Sequence, residues 1–345
     1  MKKTLFAIGA MVAMVACSND YVVKEAAQEA IGFDNAFVDN STRSMETPGY
    51  STTNLFNDFQ VYGYVQGAPL FDADNNGVKV TKNGDAWTYD GTKYWIAGAN
   101  YDFYAVAPFT GNWAVKTGTT PTEAGAIITF TNANGTQDLL YSGIVEQQGK
   151  VSGNQAVAFT FKHILSKVKF SFVNGYNASA ATICVRDIQI TNADATADAT
   201  LTTDAAWSAH NGNVAIAFGN ATTEATYATD ADDDNFANYD YAYNTTVESY
   251  YERFVIPANK EWNISFKVDL LVSGQVIKTY NHTAKLTALF EPGKSYDIAA
   301  TITATNIDPD GKQEAIEFTA TMTDWSTAED KAATVDTIQQ GTENN

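Results

Sequence analysis

The run Lys167-Val168-Lys169-Phe170-Ser171-Phe172 decides the fold class, because its large apolar residues fall on every second position. In a β-strand the apolar positions of such a run point to one face and the polar positions to the other. Three further stretches repeat the alternation, with apolar residues at Ile264, Phe266, Val268 and Leu270; at Tyr296, Ile298, Ala300 and Ile302; and at Ile316, Phe318, Ala320 and Met322. This repeated period of two predicts strands that bury one face.

Tight-turn signals separate many of these runs. Asn and Gly tolerate the positive φ that short hairpin turns require, and such pairs occur at Asn76-Gly77, Asn83-Gly84, Asp90-Gly91, Asn134-Gly135, Asn174-Gly175, Ser273-Gly274 and Asp310-Gly311. Short strands joined by turns, without helical crossovers, predict an all-β fold of antiparallel β-sandwiches. Lys24–Ala30 is the only helix-like stretch before the tail. Asn192–Ser208 and Gly219–Asn238 are rich in Ala, Thr and Asp and are predicted to be surface loops.

Length and one polar break predict two domains. The chain has 345 residues, which suits two domains of ordinary size. A polar, Gly-containing stretch at 149–153 separates two strand-rich halves. We therefore predict one β-sandwich over residues 44–150, a second over 151–328, and a polar C-terminal tail over 329–345.

Acidic residues dominate the charge and exclude several classes of function. The chain has 40 Asp and Glu against 21 Lys and Arg, a net charge of −19, so it would repel nucleic acid. His163, His210 and His282 are far apart and lack the spacing of a metal site or a triad. Asp72–Gly77 matches half of a calcium loop, but Asn83 replaces the Glu that such a loop requires. We predict no catalytic residue, no metal site and no cofactor.

The N-terminus has the features of a lipoprotein signal. Residues 1–16 contain two lysines followed by an apolar run shorter than the roughly 20 residues of a membrane-spanning helix. The run ends in small residues before Cys17, which resembles the lipobox of bacterial lipoproteins. The Cys17 thiol would accept the lipid, and the lipid would be the only contact with the membrane. Cys184 is then the only other cysteine, so no internal disulfide is expected and we predict a buried thiol.

A series of short motifs follows the lipobox: Ile31-Gly32-Phe33, Ser41-Thr42-Arg43-Ser44, Tyr94-Trp95, Tyr101-Asp102-Phe103-Tyr104-Ala105-Val106-Ala107-Pro108, Phe159-Thr160-Phe161-Lys162-His163-Ile164-Leu165-Ser166-Lys167-Val168, Phe290-Glu291-Pro292-Gly293-Lys294-Ser295-Tyr296 and Asp324-Trp325. In order and spacing these motifs resemble the fimbrillin family, the lipoprotein precursors of pilus subunits in Bacteroides-type bacteria. The resemblance implies tandem transthyretin-like β-sandwiches. It also implies assembly by donor-strand exchange, after an arginine-specific protease has removed an N-terminal strand.

The resemblance places the cleavage between Arg43 and Ser44. Residues 17–43 would then be a lipidated propeptide that leaves during maturation. The chain contains three arginines, and the other two, Arg186 and Arg253, lie in strand-like runs that a protease cannot easily enter. Arg43 lies among Ser, Thr, Asn, Pro and Gly residues, which is typical of an exposed loop.

The propeptide contains a candidate groove-filling strand. Ile31, Phe33 and Phe37 share one parity and would lie on the apolar face of the groove, with Val38 on the other face. Such a strand would cover a sheet edge that is hazardous when it is exposed. Its removal would let the groove accept a strand from another subunit.

The resemblance implies a structural or adhesive fimbrial subunit. It would first be anchored in the outer membrane and then lie in the surface fimbrium, with other fimbrial subunits and the protease as partners. The candidate donor residues Val335 and Ile338 fall on opposite parities, so the tail would bury little apolar area, and both stalk and tip or accessory positions stay open. The alternative is a monomeric outer-membrane lipoprotein that stacks Trp87, Trp95 and Trp113 on surface glycans.

Overall fold

The computed structural model describes residues 28–38, 57–71, 77–84, 86–116, 126–177, 181–202, 204–222, 241–311 and 314–325. In chain order the strands are β1 (Phe33–Val38), β2 (Asp58–Val65), β3 (Ala68–Pro69), β4 (Val78–Asn83), β5 (Ala86–Tyr89), β6 (Asn100–Ala107), β7 (Trp113–Val115), β8 (Ala126–Thr131), β9 (Leu140–Tyr141), β10 (Val145–Gln148), β11 (Val157–His163), β12 (Ser166–Gly175), β13 (Ala181–Leu201), β14 (Ala205–Gly219), β15 (Ala221–Thr222), β16 (Thr246–Ser249), β17 (Arg253–Val255), β18 (Asn259–Val272), β19 (Gln275–Leu289), β20 (Lys294–Thr303) and β21 (Phe318–Asp324).

The prediction of an all-β fold is confirmed. No residue in the described ranges lies in a helix. Within those ranges, accordingly, no helix is long and apolar enough to cross a membrane. The prediction of a helix-like stretch at Lys24–Ala30 is wrong for its described residues. Residues 28–30 are not helical, and Ala30 forms a β-bridge with Tyr94.

The first sheet has the strand order β10-β6-β9-β11-β1-β5-β4-β2-β3, and β2 also pairs with β6. This extra pairing closes a ring of strands formed by β6, β9, β11, β1, β5, β4 and β2. The ring has its own core, which is rich in aromatic side chains that include Phe33, Phe59, Phe103, Phe159 and Phe161. β1 is therefore one of the strands that complete the ring.

The second and third sheets face each other across the largest core. The second has the order β15-β16-β12-β20-β21, with β17 also on β12, and the third has the order β19-β18-β13-β8-β7, with β14 also on β13. The alternating residues that predicted strands supply this core: Val168, Phe170 and Phe172 come from β12, and Ile264 and Phe266 from β18. The motif that decided the fold class thus forms the centre of the second sheet.

β13 extends beyond this core and reaches the first sheet. Its last residues pair with β8, and the buried Ala197, Ala199 and Leu201 share a third core with Tyr62 of β2 and Tyr104 of β6. The predicted loop Asn192–Ser208 is therefore wrong, since most of it lies in β13 and β14. Pairing on both sides of β13 supplies the order that its Ala, Thr and Asp residues do not favour by themselves. In the other predicted loop, residues 223–238 fall outside the described ranges.

Strand pairing crosses the predicted division at residues 150 and 151 in both directions. β11 follows the division but belongs to the first sheet, and β8 precedes it but pairs with β13. The division itself stays a prediction. Two pairs, β1 with β11 and β12 with β20, are parallel, whereas turn signals along the sequence report only on antiparallel neighbours.

Candidate functional site

The candidate site is the position of β1 in the first sheet. β1 runs parallel to β11, with Phe33 opposite Val157 and Asp34 opposite Ala158. On its other side β1 pairs antiparallel with β5, where Phe33 lies opposite Trp87. An N-terminal segment therefore fills the space between two strands that begin 53 and 124 positions after the first residue of β1.

The pairing of β1 with β11 contains a one-residue shift between Asp34 and Phe37. After the shift Phe37 pairs with the exposed Thr160, and Val38 pairs with the buried Phe161. An extra residue in one strand of a pair is a β-bulge, which changes the face on which later positions fall. The alternation of apolar and polar residues along the sequence does not predict this shift.

Phe33 is the anchor of β1. Its side chain is 5 % exposed, and that of Ile31 is 2 % exposed. The Phe33 ring lies in a cage of four aromatic rings, at centroid distances of 5.2 Å to Tyr89, 5.8 Å to Phe159, 6.2 Å to Phe103 and 6.3 Å to Phe71. Burial of a Phe side chain stabilises the folded state by about 1.5–3 kcal/mol, and contacts between aromatic rings stabilise it further.

Backbone hydrogen bonds extend the attachment beyond β1 towards the N-terminus. The Ile31 amide donates to the Lys93 carbonyl at 2.8 Å, and the Trp95 amide donates to the Glu29 carbonyl at 2.9 Å. The Tyr89 hydroxyl donates to the Ile31 carbonyl at 2.9 Å. Residues 29–33 are therefore held by hydrogen bonds as well as by buried apolar side chains.

The Glu29 carboxylate is bound by a loop that follows β10. Its Oε1 accepts from the Gly153 amide at 2.7 Å, and its Oε2 accepts from the amide and the Nδ2 of Asn154, each at 2.7 Å. These hydrogen bonds, led by the one from the Asn154 amide, hold the pKa of Glu29 below its ordinary value of 4.5. Gly153 has a φ of 72°, a conformation that favours glycine.

The predicted site residues divide into two groups. Ile31 and Phe33 lie in the site and are buried, and the backbones of Phe37 and Val38 continue the same strand. The remaining predicted residues, Cys17, Arg43, Ser44, Val335 and Ile338, lie outside the described ranges. Sequence reasoning missed Glu29 and its loop, because Glu29 fell in the helix-like stretch and its partners lie 124 and 125 positions away.

The aromatic residues of the glycan alternative are largely occupied by packing. Trp95 is 4 % exposed and stands edge-on to Tyr101 at 4.7 Å. Trp87 and Trp113 are half-buried, Trp87 edge-on to Phe59 and Trp113 donating its indole N–H to the Pro108 carbonyl at 2.9 Å. Trp95 is thus largely covered by the protein, and the glycan alternative stays a prediction.

The other residues that the sequence singled out are buried, make packing contacts or lie outside the described ranges. Cys184 is buried on β13, as predicted. His163 stacks on Trp325 with 3.7 Å between ring centroids, and its Nδ1 lies 2.6 Å from Asp138 Oδ2. Among the residues that the structure covers, no group of three or more His, Cys, Asp or Glu side chains could hold a metal ion. The Asp residues of the half calcium loop at 72–76 are not in the described ranges.

Fold and site together define an all-β protein whose first sheet is completed by its own N-terminal strand. The model of the fimbrillin-like family matches residues 42–325, and the chain therefore belongs to this family of structural and adhesion proteins of cell-surface fimbriae.

Solved structures of low sequence identity resemble the chain. A fimbrial protein from Bacteroides vulgatus is 16% identical with a TM-score of 0.59, and the match covers 86% of this chain and 99% of that one. The fimbrial anchor protein Mfa2 from Porphyromonas gingivalis is 10% identical with a TM-score of 0.41, and covers 86% of this chain and 98% of its own. Among curated proteins, none matches the chain.

Proposed function

We propose that the chain is the precursor of a fimbrial subunit that receives a lipid at Cys17 and is cleaved between Arg43 and Ser44. Removal of residues 17–43 then takes β1 away and opens the ring of the first sheet between β5 and β11. An extended segment of another subunit fills the opening by strand addition. The lipid serves delivery to the outer membrane, and the mature subunit belongs to the surface fimbrium.

The observation that carries this proposal is the position of β1 relative to Arg43. All described residues of the inserted segment, 28–38, precede Arg43, and every other described residue follows it. A single peptide-bond cleavage at Arg43 therefore leaves β1 attached to the remainder of the chain by non-covalent contacts alone.

The vacated space fits one strand. Neighbouring strands lie about 4.7–4.9 Å apart, so β5 and β11 flank a gap about twice that wide. Without β1 the Val157 amide loses its acceptor, the Gly32 carbonyl at 2.8 Å. The aromatic cage of Phe33 also becomes open to water. Unpaired strand edges and exposed apolar side chains both favour the uptake of a new strand.

The positions of the other two arginines support cleavage at Arg43. Arg186 lies in β13, where its guanidinium binds the buried Asp269. Arg253 begins β17 and is 8 % exposed. A protease needs an extended, accessible backbone, which paired strands do not provide. Arg43 is thus the arginine at which we expect cleavage of the folded chain.

The position of the subunit along the fibre depends on its tail. Val335 and Ile338 fall on opposite parities, so they cannot both enter one apolar groove in a regular strand. A subunit of this kind accepts a strand but offers a weak one, which suits a tip or accessory position. A stalk position requires that the tail binds in an irregular conformation.

The test is proteolysis of the purified chain with an arginine-specific protease. We expect a product that begins at Ser44 by N-terminal sequencing. SDS-resistant ladders after cleavage would indicate stalk assembly, and cleavage without ladders would indicate a tip or accessory position. A chain that stays intact under these conditions contradicts the proposal.

Matched substitutions test whether cleavage occurs at Arg43. Arg43→Lys preserves the charge but removes the cleavable residue, so this variant should remain intact and monomeric. Arg186→Lys is the control and should be cleaved like the unmodified chain. Cleavage of Arg43→Lys at the same rate would place the reactive bond elsewhere.

A further inference from the structure

We propose that the loop Lys150–Asn154 is a carboxylate-binding site that recognises an acidic residue on whichever strand fills the gap between β5 and β11. In the precursor the ligand is Glu29. In the assembled state the ligand is an acidic residue on the incoming strand of another subunit. The inference rests on the proposed function for this second step.

The donors of the loop match a carboxylate. Gly153 supplies one amide to Oε1, and Asn154 supplies its amide and Nδ2 to Oε2, all at 2.7 Å. Each oxygen thus has its own donor group, as the two-pronged shape of a carboxylate requires. Hydrogen bonds to a charged acceptor are stronger than those between neutral groups. In a chain with a net charge of −19, such local donors are needed to hold an anion.

The loop is built without help from β1. The Lys150 amide donates to Asn154 Oδ1 at 2.7 Å, and Asn154 Nδ2 also donates to the Lys150 carbonyl at 3.0 Å. Just before the loop, the Gly149 amide donates to the Ala99 carbonyl at 2.9 Å, and the Gly98 amide donates to the Gly149 carbonyl at 2.8 Å. These bonds keep the three donors in place when residues 17–43 leave.

The position of Glu29 fixes the register of the strand. Glu29 lies two residues before the buried Ile31 and four residues before the buried Phe33. The loop therefore binds the carboxylate of the N-terminal segment, and the aromatic cage binds its Phe33 side chain four residues later. A shift by one residue would separate the carboxylate from the loop and Phe33 from its cage.

This spacing defines the partner. A strand that runs in the direction of β1 needs an acidic residue, an apolar residue two positions later and an aromatic or large apolar residue four positions later. The tail of this chain fits poorly: Asp336 is followed by Ile338 but then by Gln340. The partner is therefore a strand of a different subunit that carries this pattern of one acidic and two apolar residues.

The test compares peptides on the chain after cleavage at Arg43 and removal of the released segment. The probe is a synthetic peptide of residues 28–38, and its affinity is measured by fluorescence anisotropy. We expect Glu29→Gln to weaken binding at least tenfold, because a neutral amide replaces the charged acceptor. Gln28→Ala truncates an exposed polar side chain next to Glu29 and should weaken binding less than threefold. Equal effects of the two changes, or no binding of the parent peptide, would overturn the inference.

A substitution in the loop provides a second test of the same contact. In the cleaved Asn154→Ala chain the Glu29→Gln peptide should lose less affinity relative to the parent peptide, because the two groups interact directly. Independent, additive effects would contradict a direct contact.

A measurement on the intact chain separates this inference from the proposed function. In the Glu29→Gln variant, amide exchange at Gly153 and Asn154 should accelerate at least tenfold, with Gln28→Ala as the control. An intact chain that resists cleavage overturns the proposed function alone. Unchanged exchange overturns the carboxylate site whether or not Arg43 is cleaved.

Discussion

At the scale of single residues, two side chains hold the N-terminal segment in different ways. Phe33 is buried in an aromatic cage and contributes through apolar area and ring contacts. Glu29 lies nearer the surface and contributes through directional hydrogen bonds to the loop. The first contribution is independent of pH, whereas the second depends on the charge of the carboxylate. The two can therefore be separated by experiment.

Phe33→Ala should make β1 detach more readily from the intact chain. Loss of a buried Phe side chain costs about 3 kcal/mol or more, so exchange of the Val157 amide should rise about a hundredfold. The control is Ile96→Ala, since Ile96 is 59 % exposed and its truncation should change stability by less than about 0.5 kcal/mol. Equal protection of Val157 in both variants would indicate that the cage does not hold β1.

The Glu29 contact should weaken in acid. Its pKa is lower in the folded chain than its ordinary value of 4.5, so the contact stabilises above about that pH and is lost as pH falls through the lowered folded pKa. We expect the protection factor of the Gly153 amide to fall over this acidic range. The Glu29→Gln variant should lack the transition, and the same transition in that variant would assign it to another group.

The sequence predicted the apolar residues of the site but not its polar contact. Ile31 and Phe33 stand out because alternation and local composition are visible within a few positions. Glu29 belongs to a stretch whose Lys, Glu and Ala residues favour a helix in isolation. Its extended conformation comes from the backbone bond between Glu29 and Trp95 and from the neighbouring bond between Ile31 and Lys93, and a short window of sequence contains neither Trp95 nor Lys93.

At the scale of elements, β13 connects parts of the molecule that the sequence assigns to different halves. The strand spans 21 residues and pairs successively with β18, β14 and β8. Where it meets β8 it buries two small residues, Ala197 and Ala199, beside Asp198 and Leu201, and the two alanines share a core with the tyrosines of β2 and β6. Alanine and threonine suggested a loop, yet small side chains are what the close approach of two sheets requires.

Ala199→Val should destabilise the chain, whereas Ala206→Val should not. Ala199 is 0 % exposed, so two added methyl groups must enter a filled core at a cost of about 1–3 kcal/mol. Ala206 lies on the neighbouring β14 and is exposed, so the same change should stay within about 0.5 kcal/mol. Urea denaturation measures both, and equal midpoints would show that the core beside Ala199 has free space.

At the scale of the whole molecule, three cores are linked by shared strands. β2 and β6 contribute Phe59 and Phe103 to the core of the ring and Tyr62 and Tyr104 to the core beneath β13. β13 in turn contributes Ile183 to the largest core. Sequence alternation was sufficient to predict the all-β class. It did not predict which sheets share strands, since that depends on pairings between distant segments.

The intact chain should unfold in one transition. The two halves share the pairing of β8 with β13 and the core between them, so neither half can lose its structure without exposing apolar area of the other. Differential scanning calorimetry should give a single peak with equal calorimetric and van't Hoff enthalpies. Two separate peaks would indicate that the halves are independent folding units.

The placement of β1 also has a mechanical consequence. Its hydrogen-bonded neighbours, β11 and β5, lie on both sides, and interstrand hydrogen bonds are directed across the strands rather than along them. A pull on the N-terminus along the axis of β1 therefore loads all of these bonds in shear at the same time. Peeling, which breaks bonds one after another at low force, requires a pull at right angles to the strand. A tether that pulls lengthwise would thus be held firmly by a segment of only a few residues.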